Sequence, residues 1–137
     1  MNLEKELEVR NFLKSQIGKP FQRGFRDCNT LAVHVLDMIA GTNYKEKVIG
    51  RYKNKKEAIR FVRDGGWCWV DGLLKLGAKE VPKNFETTGD FLVIKRKWWE
   101  EIYVCLGREC VGVYEDTGVQ MVPMAMIGKY RAFRLVE

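Results

Sequence analysis

The chain has 137 residues, 46% of them hydrophobic and 31% charged, and it carries a formal net charge of +6 at pH 7. These proportions are ordinary for a soluble globular protein and predict a single domain over residues 1–137 with a sizeable core. No apolar run is long enough for a membrane-spanning helix, so a membrane span is excluded. The charged residues 1–6 lack the apolar segment of a secretory signal, which predicts folding in the cytoplasm that makes the chain.

Apolar spacing in the first half of the chain predicts four amphipathic helices. Asp27 is a candidate N-cap of the second helix and Asn54 of the third, because such side chains accept hydrogen bonds from backbone N–H groups at a helix start. Gly65-Gly66 is predicted to end the third helix. The predicted helices cover about residues 3–17, 28–39, 55–63 and 68–75.

The second half changes to short apolar strands separated by turn residues. Asp90 begins the first of them and is interpreted as a turn or strand-opening residue that binds local backbone N–H groups. Helices followed by a meander predict an α+β fold, with N-terminal helices packed on one face of an antiparallel sheet from the C-terminal half. The predicted strands cover about residues 90–95, 101–106, 110–114, 119–122 and 132–136.

Cys28 stands at the start of the second predicted helix, directly after a loop. The partial positive charge at a helix N-terminus favours the thiolate, so this cysteine is expected to be more nucleophilic than an average buried one. The single histidine, His34, lies six residues further on, about 9 Å along the helix axis and beyond hydrogen-bond reach. His34 is therefore interpreted as a residue at the border of the packed face. Cys28 itself is either a nucleophile or a small core residue.

The four cysteines include no C-x-x-C pair, so neither a disulfide framework nor a zinc site is favoured, and no cofactor is implied. Cys105 and Cys110 are the closest pair and are interpreted as strand core residues that alternation could point to opposite faces. The sequence thus offers Cys28 as its main candidate for reactive chemistry.

Basic residues cluster within residues 45–63 and again at 95–97. One interpretation is a solvated face, and the other is attraction to nucleic acid, an acidic partner or an anionic cell-wall polymer. Aromatic residues do not alternate with these charges as they do in a base-stacking groove, so nucleic acid is not favoured. Trp98 and Trp99 follow the second cluster in a predicted loop, where an aromatic pair indicates a contact surface.

Several short motifs occur in an order that resembles the NlpC-like branch of the papain-fold cysteine peptidases. The resemblance is closer to a phage and prophage family of similar length and unknown function, and it runs from about Gly18 to Leu135. Its motifs are Gly18-Lys19-Pro20-Phe21, Asp27-Cys28, Gly50-Arg51-Tyr52, Gly89-Asp90, Val104-Cys105-Leu106-Gly107, Val122-Pro123 and Ala132-Phe133-Arg134.

This resemblance implies a papain-like fold with Cys28 at the position of the nucleophile. In the peptidases the next strand carries the catalytic histidine shortly before a glycine; here Glu101, with Ile102 beside it, occupies that place before Gly107. A glutamate normally titrates far below the pH at which a general base must accept a thiol proton. The resemblance therefore implies a structural protein of the phage virion, associated with the tail, with a degenerate and inactive cysteine-peptidase-like fold.

Two alternatives stay open. In one, the chain is an active cysteine hydrolase of cell-wall peptide or amide bonds, in which Cys28 attacks the carbonyl, its backbone N–H stabilises the oxyanion and Glu101 assists. In the other, it is a small basic adaptor that binds nucleic acid or another phage protein. The partners implied are other phage structural proteins and peptidoglycan, and the location implied is the virion.

Overall fold

The computed structural model describes residues 1–65 and 68–136. The predicted helix stop at Gly66 lies outside these residues. Helices occupy the N-terminal half and an antiparallel sheet the C-terminal half, as the α+β prediction requires. The elements are α1 Leu3–Gln16, α2 Cys28–Ala40, α3 Lys45–Val48, α4 Lys55–Gly65, α5 Trp69–Lys75, β1 Lys79–Val81, β2 Phe91–Lys95, β3 Glu100–Leu106, β4 Glu109–Tyr114, β5 Gly118–Pro123, a 3-10 turn Met124–Met126 and β6 Arg131–Arg134.

The helix starts follow the capping rules. The Asn2 side chain accepts a hydrogen bond from the Lys5 backbone N–H at 2.8 Å and begins α1. Asp27 begins α2 through a capping box with Thr30, as predicted for its N-cap role. Gly41, in the left-handed conformation, ends α2 with a backbone hydrogen bond to Asp37. At both ends of α2, backbone groups that lack a partner within the helix are thus hydrogen-bonded by the capping residues.

The six strands are ordered β1-β6-β2-β3-β4-β5, and every neighbouring pair is antiparallel. The β2, β3 and β4 hairpins follow the predicted meander. Strand β1 and helix α3 were not predicted, because three or four residues are too few to display a period. None of the described helices is long and apolar enough to cross a membrane.

The sheet has a different apolar cluster on each face. Helices α1 and α2 pack on the face that carries Phe91, Ile102 and Val104. The opposite face carries Leu92 and Tyr103, which the segment after β5 covers through its own apolar side chains. This alternation follows the two-residue period of a strand, and it decides which side chains of β3 can face the start of α2.

Asp90 is buried where β2 begins. Its carboxylate accepts a hydrogen bond from the Thr87 backbone N–H at 2.9 Å, which confirms the predicted strand-opening role. The same carboxylate binds the Arg134 guanidinium of β6 through two hydrogen bonds, of 2.9 and 2.8 Å. Asp90 therefore joins the first long strand of the meander to β6, a contact between residues far apart in the chain.

Candidate functional site

The start of α2 is organised by the buried carboxylate of Asp27. One oxygen accepts a hydrogen bond from the Thr30 N–H at 2.9 Å, and the other accepts from the Gly24 N–H and the Tyr52 hydroxyl, both at 2.8 Å. Burial and the Asp27 carboxylate raise the pKa of Tyr52, so the phenol stays a donor. Three donors thus hold Asp27, and with it the residue that follows it, in one position.

Tyr52 is a residue that sequence reasoning did not assign to the site. It belongs to the Gly50-Arg51-Tyr52 motif, which lies beside the loop before α2 because the Gly50 N–H donates to the Gly24 carbonyl oxygen at 2.9 Å. A Cβ at Gly24 would stand 2.2 Å from the Tyr52 carbonyl oxygen, so only glycine fits there. The signal in the sequence was the motif itself, but nothing in its residues indicated Asp27 as the partner.

Cys28 is the first residue of α2, as predicted, and it is partly exposed. The expectation of a favoured thiolate is wrong, because the pKa of Cys28 is raised to about 12. Burial of the sulfur is the main cause, and the negative charges of Asp27 and Glu101 act in the same direction; a backbone hydrogen bond from Ile102 opposes them only in part. Desolvation therefore outweighs the helix N-terminus at this thiol.

Glu101 has another partner. Its two carboxylate oxygens accept hydrogen bonds from the Arg96 guanidinium, at 2.9 and 3.3 Å, across the β2–β3 hairpin. Ile102 belongs to the face of β3 that packs on α2, so strand alternation directs the Glu101 side chain to the Tyr103 face. A role for Glu101 in assisting Cys28 stays a prediction: the residue lines the same cleft as Cys28, and its carboxylate is bound to Arg96.

His34 lies on α2 with its ring stacked on Phe12 of α1, with the ring centroids 3.9 Å apart and the planes inclined by 7°. Burial is the main cause that lowers the pKa of His34, and the nearby charge of Lys45 adds to it. The imidazole is half-buried between two helices, which confirms its interpretation as a residue at the border of the packed face.

A cleft of about 110 Å³ opens beside Cys28. The N-terminal turn of α2 and Trp69 form one wall, and Ala58, Ile59 and Val62 of α4 form the other. The Trp69 indole N–H donates to the Asn29 side chain at 2.9 Å, which ties α5 to the residue after Cys28. Residues 99–101 close the end of the cleft at the start of β3. The thiol of Cys28 thus borders a small, largely apolar space.

Lys55, from the first basic cluster, and Trp99, which follows the second cluster in the chain, both line the cleft. The Lys55 ammonium of α4 lies 4.6 Å from the centroid of the Trp99 ring, and the Lys97 ammonium lies 5.2 Å from that of Trp98. The Trp98 side chain is 67% exposed. Lys55, Lys97, Trp98 and Trp99 together are called the Lys–Trp rim. The contact surface predicted from the sequence stays a prediction; the Trp98 indole is exposed and each lysine lies against an indole ring.

Cys105 and Cys110 are buried and directly opposite each other on β3 and β4. Directly opposed residues of an antiparallel pair share a face, so the expectation that alternation could separate them is wrong. Their assignment as strand core residues is confirmed. Among residues 1–65 and 68–136, no group of three or more His, Cys, Asp and Glu side chains could hold a metal ion.

Comparison with known proteins places this site within a family domain. A search of the curated proteins found no match to the chain. A family model, described as a domain of unknown function (DUF6950), matches residues 1–135. The matched range includes both walls of the cleft, the Lys–Trp rim and all six described strands. The chain belongs to the DUF6950 family.

Proposed function

We propose that this chain is a phage virion protein, associated with the tail, that uses a degenerate NlpC-like (papain-like) domain to bind a partner and not to cleave one. Two lines of reasoning support the proposal. The order of motifs from Gly18 to Leu135 resembles phage and prophage proteins, and the surroundings of Cys28 disfavour thiolate chemistry.

The observation that carries the proposal is the environment of the Cys28 sulfur. The sulfur borders a cleft, yet its nearest charged neighbour in sequence is the buried Asp27 carboxylate, and its thiol pKa is raised to about 12. A thiol whose pKa is raised in this way is protonated at neutral pH. A cysteine nucleophile needs the opposite shift.

The groups that would supply a base are already occupied. The His34 ring stacks on Phe12, six residues along α2 from the cysteine. The Glu101 carboxylate forms an ion pair with Arg96, so both of its oxygens already accept hydrogen bonds from a guanidinium. These contacts favour a binding role for the cleft.

A cysteine hydrolase acting on cell-wall peptide or amide bonds is the second candidate. One observation favours it: Cys28 borders a cleft at a helix N-terminus, where its backbone N–H could stabilise an oxyanion. In that case a base has to remove the thiol proton although the thiol pKa is raised in the free protein. The two candidates therefore differ in the reactivity of Cys28 and in turnover.

Thiol reactivity tests the non-catalytic role. Iodoacetamide is applied between pH 6 and pH 8, and the modified cysteine is identified by peptide mass spectrometry, with the exposed Cys68 as the internal reference. We expect Cys28 to react more slowly than Cys68 over the whole range. Rapid alkylation of Cys28 at pH 6, or release of cell-wall peptides that Cys28→Ala abolishes, would overturn the proposal in favour of the hydrolase.

The virion assignment has its own test. Particles of a phage that encodes the chain are purified, and their proteins are quantified by mass spectrometry against the major tail protein. We expect the chain to co-purify with tails in a fixed ratio to that protein. Recovery only in the lysate, at no fixed ratio to particles, would overturn the assignment and leave the result on Cys28 unaffected.

A further inference from the structure

We propose that the cleft and the Lys–Trp rim bind an acidic segment of a partner protein, with one aliphatic side chain of that segment seated against α4. The proposal rests on the binding role proposed above and names the chemistry of the partner. It follows from three features of the described residues: the size of the cleft, the charge at its mouth and the packing of its α4 wall.

The cleft has the size and lining of a pocket for a single side chain. Its volume of about 110 Å³ lies below the range of roughly 300–1,000 Å³ that is usual for small-molecule sites. Ile59, Val62 and Trp69 give it apolar walls. Transfer of an aliphatic side chain from water to such a surface is favourable, whereas transfer of a charged group is unfavourable. The cleft therefore favours an aliphatic side chain over a cofactor.

The acidic residues around the cleft are already engaged. The Glu100 carboxylate accepts hydrogen bonds from the backbone N–H groups of Trp69 and Val70, at 2.6 and 3.3 Å. Glu101 binds Arg96, and the Arg23 guanidinium binds Glu115. Within the described residues, none of these carboxylates forms an ion pair with Lys55 or Lys97.

The cations of the rim stay uncompensated. Lys55 and Lys97 lie against indole rings, and within the described part of the chain neither ammonium forms an ion pair with a carboxylate. A ligand that enters the cleft meets Lys55, which lines it, and Lys97 lies two residues before Trp99, which also lines it. Charge complementarity therefore favours carboxylates next to the inserted side chain.

The α4 wall can adapt to an inserted side chain. No described side chain of α4 is fully buried, although Ala58 and Phe61 pack against the main core. A wall that is only half-packed can move at a smaller cost than a close-packed one. An extended polypeptide fits these features better than single-stranded nucleic acid, which needs several free stacking surfaces, and Lys55 already covers one face of Trp99.

Titration calorimetry with a designed peptide tests the proposal. The probe is the capped pentapeptide Glu-Glu-Leu-Glu-Glu at low salt, with Glu-Glu-Ser-Glu-Glu and Lys-Lys-Leu-Lys-Lys as matched probes. We expect the first to bind, the serine peptide to bind at least about fivefold more weakly and the lysine peptide not to bind. Removing both rim charges with Lys55→Gln and Lys97→Gln should weaken binding about tenfold or more.

The control variant is Lys14→Gln, which removes an exposed charge on α1, distant in sequence from the cleft, and should leave binding within twofold. Thermal unfolding of each variant verifies that it folds. Binding of a ten-nucleotide oligothymidylate or of anionic lipid vesicles without binding of the acidic peptide would overturn the proposal, as would equal affinity for the leucine and serine peptides. Peptide turnover that depends on Cys28 would overturn the non-catalytic role, whereas absence of both binding and turnover would overturn only this inference.

Discussion

The two helices that form the walls of the cleft differ in how they are held. Helix α2 buries Leu31, Ala32, Val35 and Leu36, whereas no described side chain of α4 is fully buried. Both begin at an Asp or Asn side chain, but Asp27 is buried among three donors and Asn54 is exposed. The wall that carries the cysteine is thus fixed, and the wall that carries Lys55 can adjust. This division suits recognition, in which one surface orients the partner and the other closes on it.

The largest expected difference between the walls is in core packing. Leu36→Ala in α2 removes a side chain with no exposed surface and should lower the free energy of unfolding by about 3 kcal/mol. Ile59→Ala in α4 removes a half-buried side chain and should cost about 1 kcal/mol or less. Urea unfolding of both variants measures the two losses. Equal losses would show that α4 is as firmly packed as α2.

The next largest effect concerns the buried cap. Asp27→Ala leaves the Gly24 N–H and the Tyr52 hydroxyl without their acceptor, and we expect it to cost about 2–3 kcal/mol in urea unfolding. Tyr52→Phe removes one of the three donors to Asp27 and should cost about 1 kcal/mol. If Asp27→Ala cost no more than Tyr52→Phe, the carboxylate would not be the centre of this network.

A smaller effect is expected from pH. The folded-state pKa of Cys28 is raised to about 12 from the ordinary thiol value of 9.0, so the unfolded chain loses this proton first as pH rises. The thiol's contribution to stability is therefore complete below about pH 9 and is lost as pH rises towards 12. Between pH 8 and pH 10 the free energy of unfolding of the wild-type chain should fall by about 1 kcal/mol more than that of Cys28→Ala. Identical losses, measured by urea unfolding, would contradict the raised pKa.

The smallest effect should come from the exposed cap. Asn54 accepts a hydrogen bond from the Glu57 N–H at 2.8 Å at the start of α4. Asn54→Ala should cost about 0.5–1 kcal/mol and should act mainly on α4. Native-state hydrogen exchange is expected to show faster exchange in α4 than in α2 before the substitution, and a further increase confined to α4 after it. An increase spread evenly over both helices would contradict the division between the walls.

Much of this architecture is predictable from local sequence. The start of α2 follows from Asp27 before an apolar period, and β2 to β4 follow from short apolar runs between turns. The contacts that define the site are different, because they join distant residues: Tyr52 binds Asp27, and Lys55 lies on Trp99. A helix N-terminus predicted an activated thiol, but the burial that raises its pKa depends on β3, more than seventy residues away in the chain. Local signals carry no information on such desolvation.

The place of β6 in the sheet has a consequence for synthesis. Of the six strands β6 is the last to leave the ribosome, yet it lies between β1 and β2. A nascent chain that has emerged only as far as β5 holds β1 without its neighbour and Asp90 without the Arg134 guanidinium. The sheet therefore cannot close in the order in which it is translated, and the half of it around Asp90 must wait for residues 131–134.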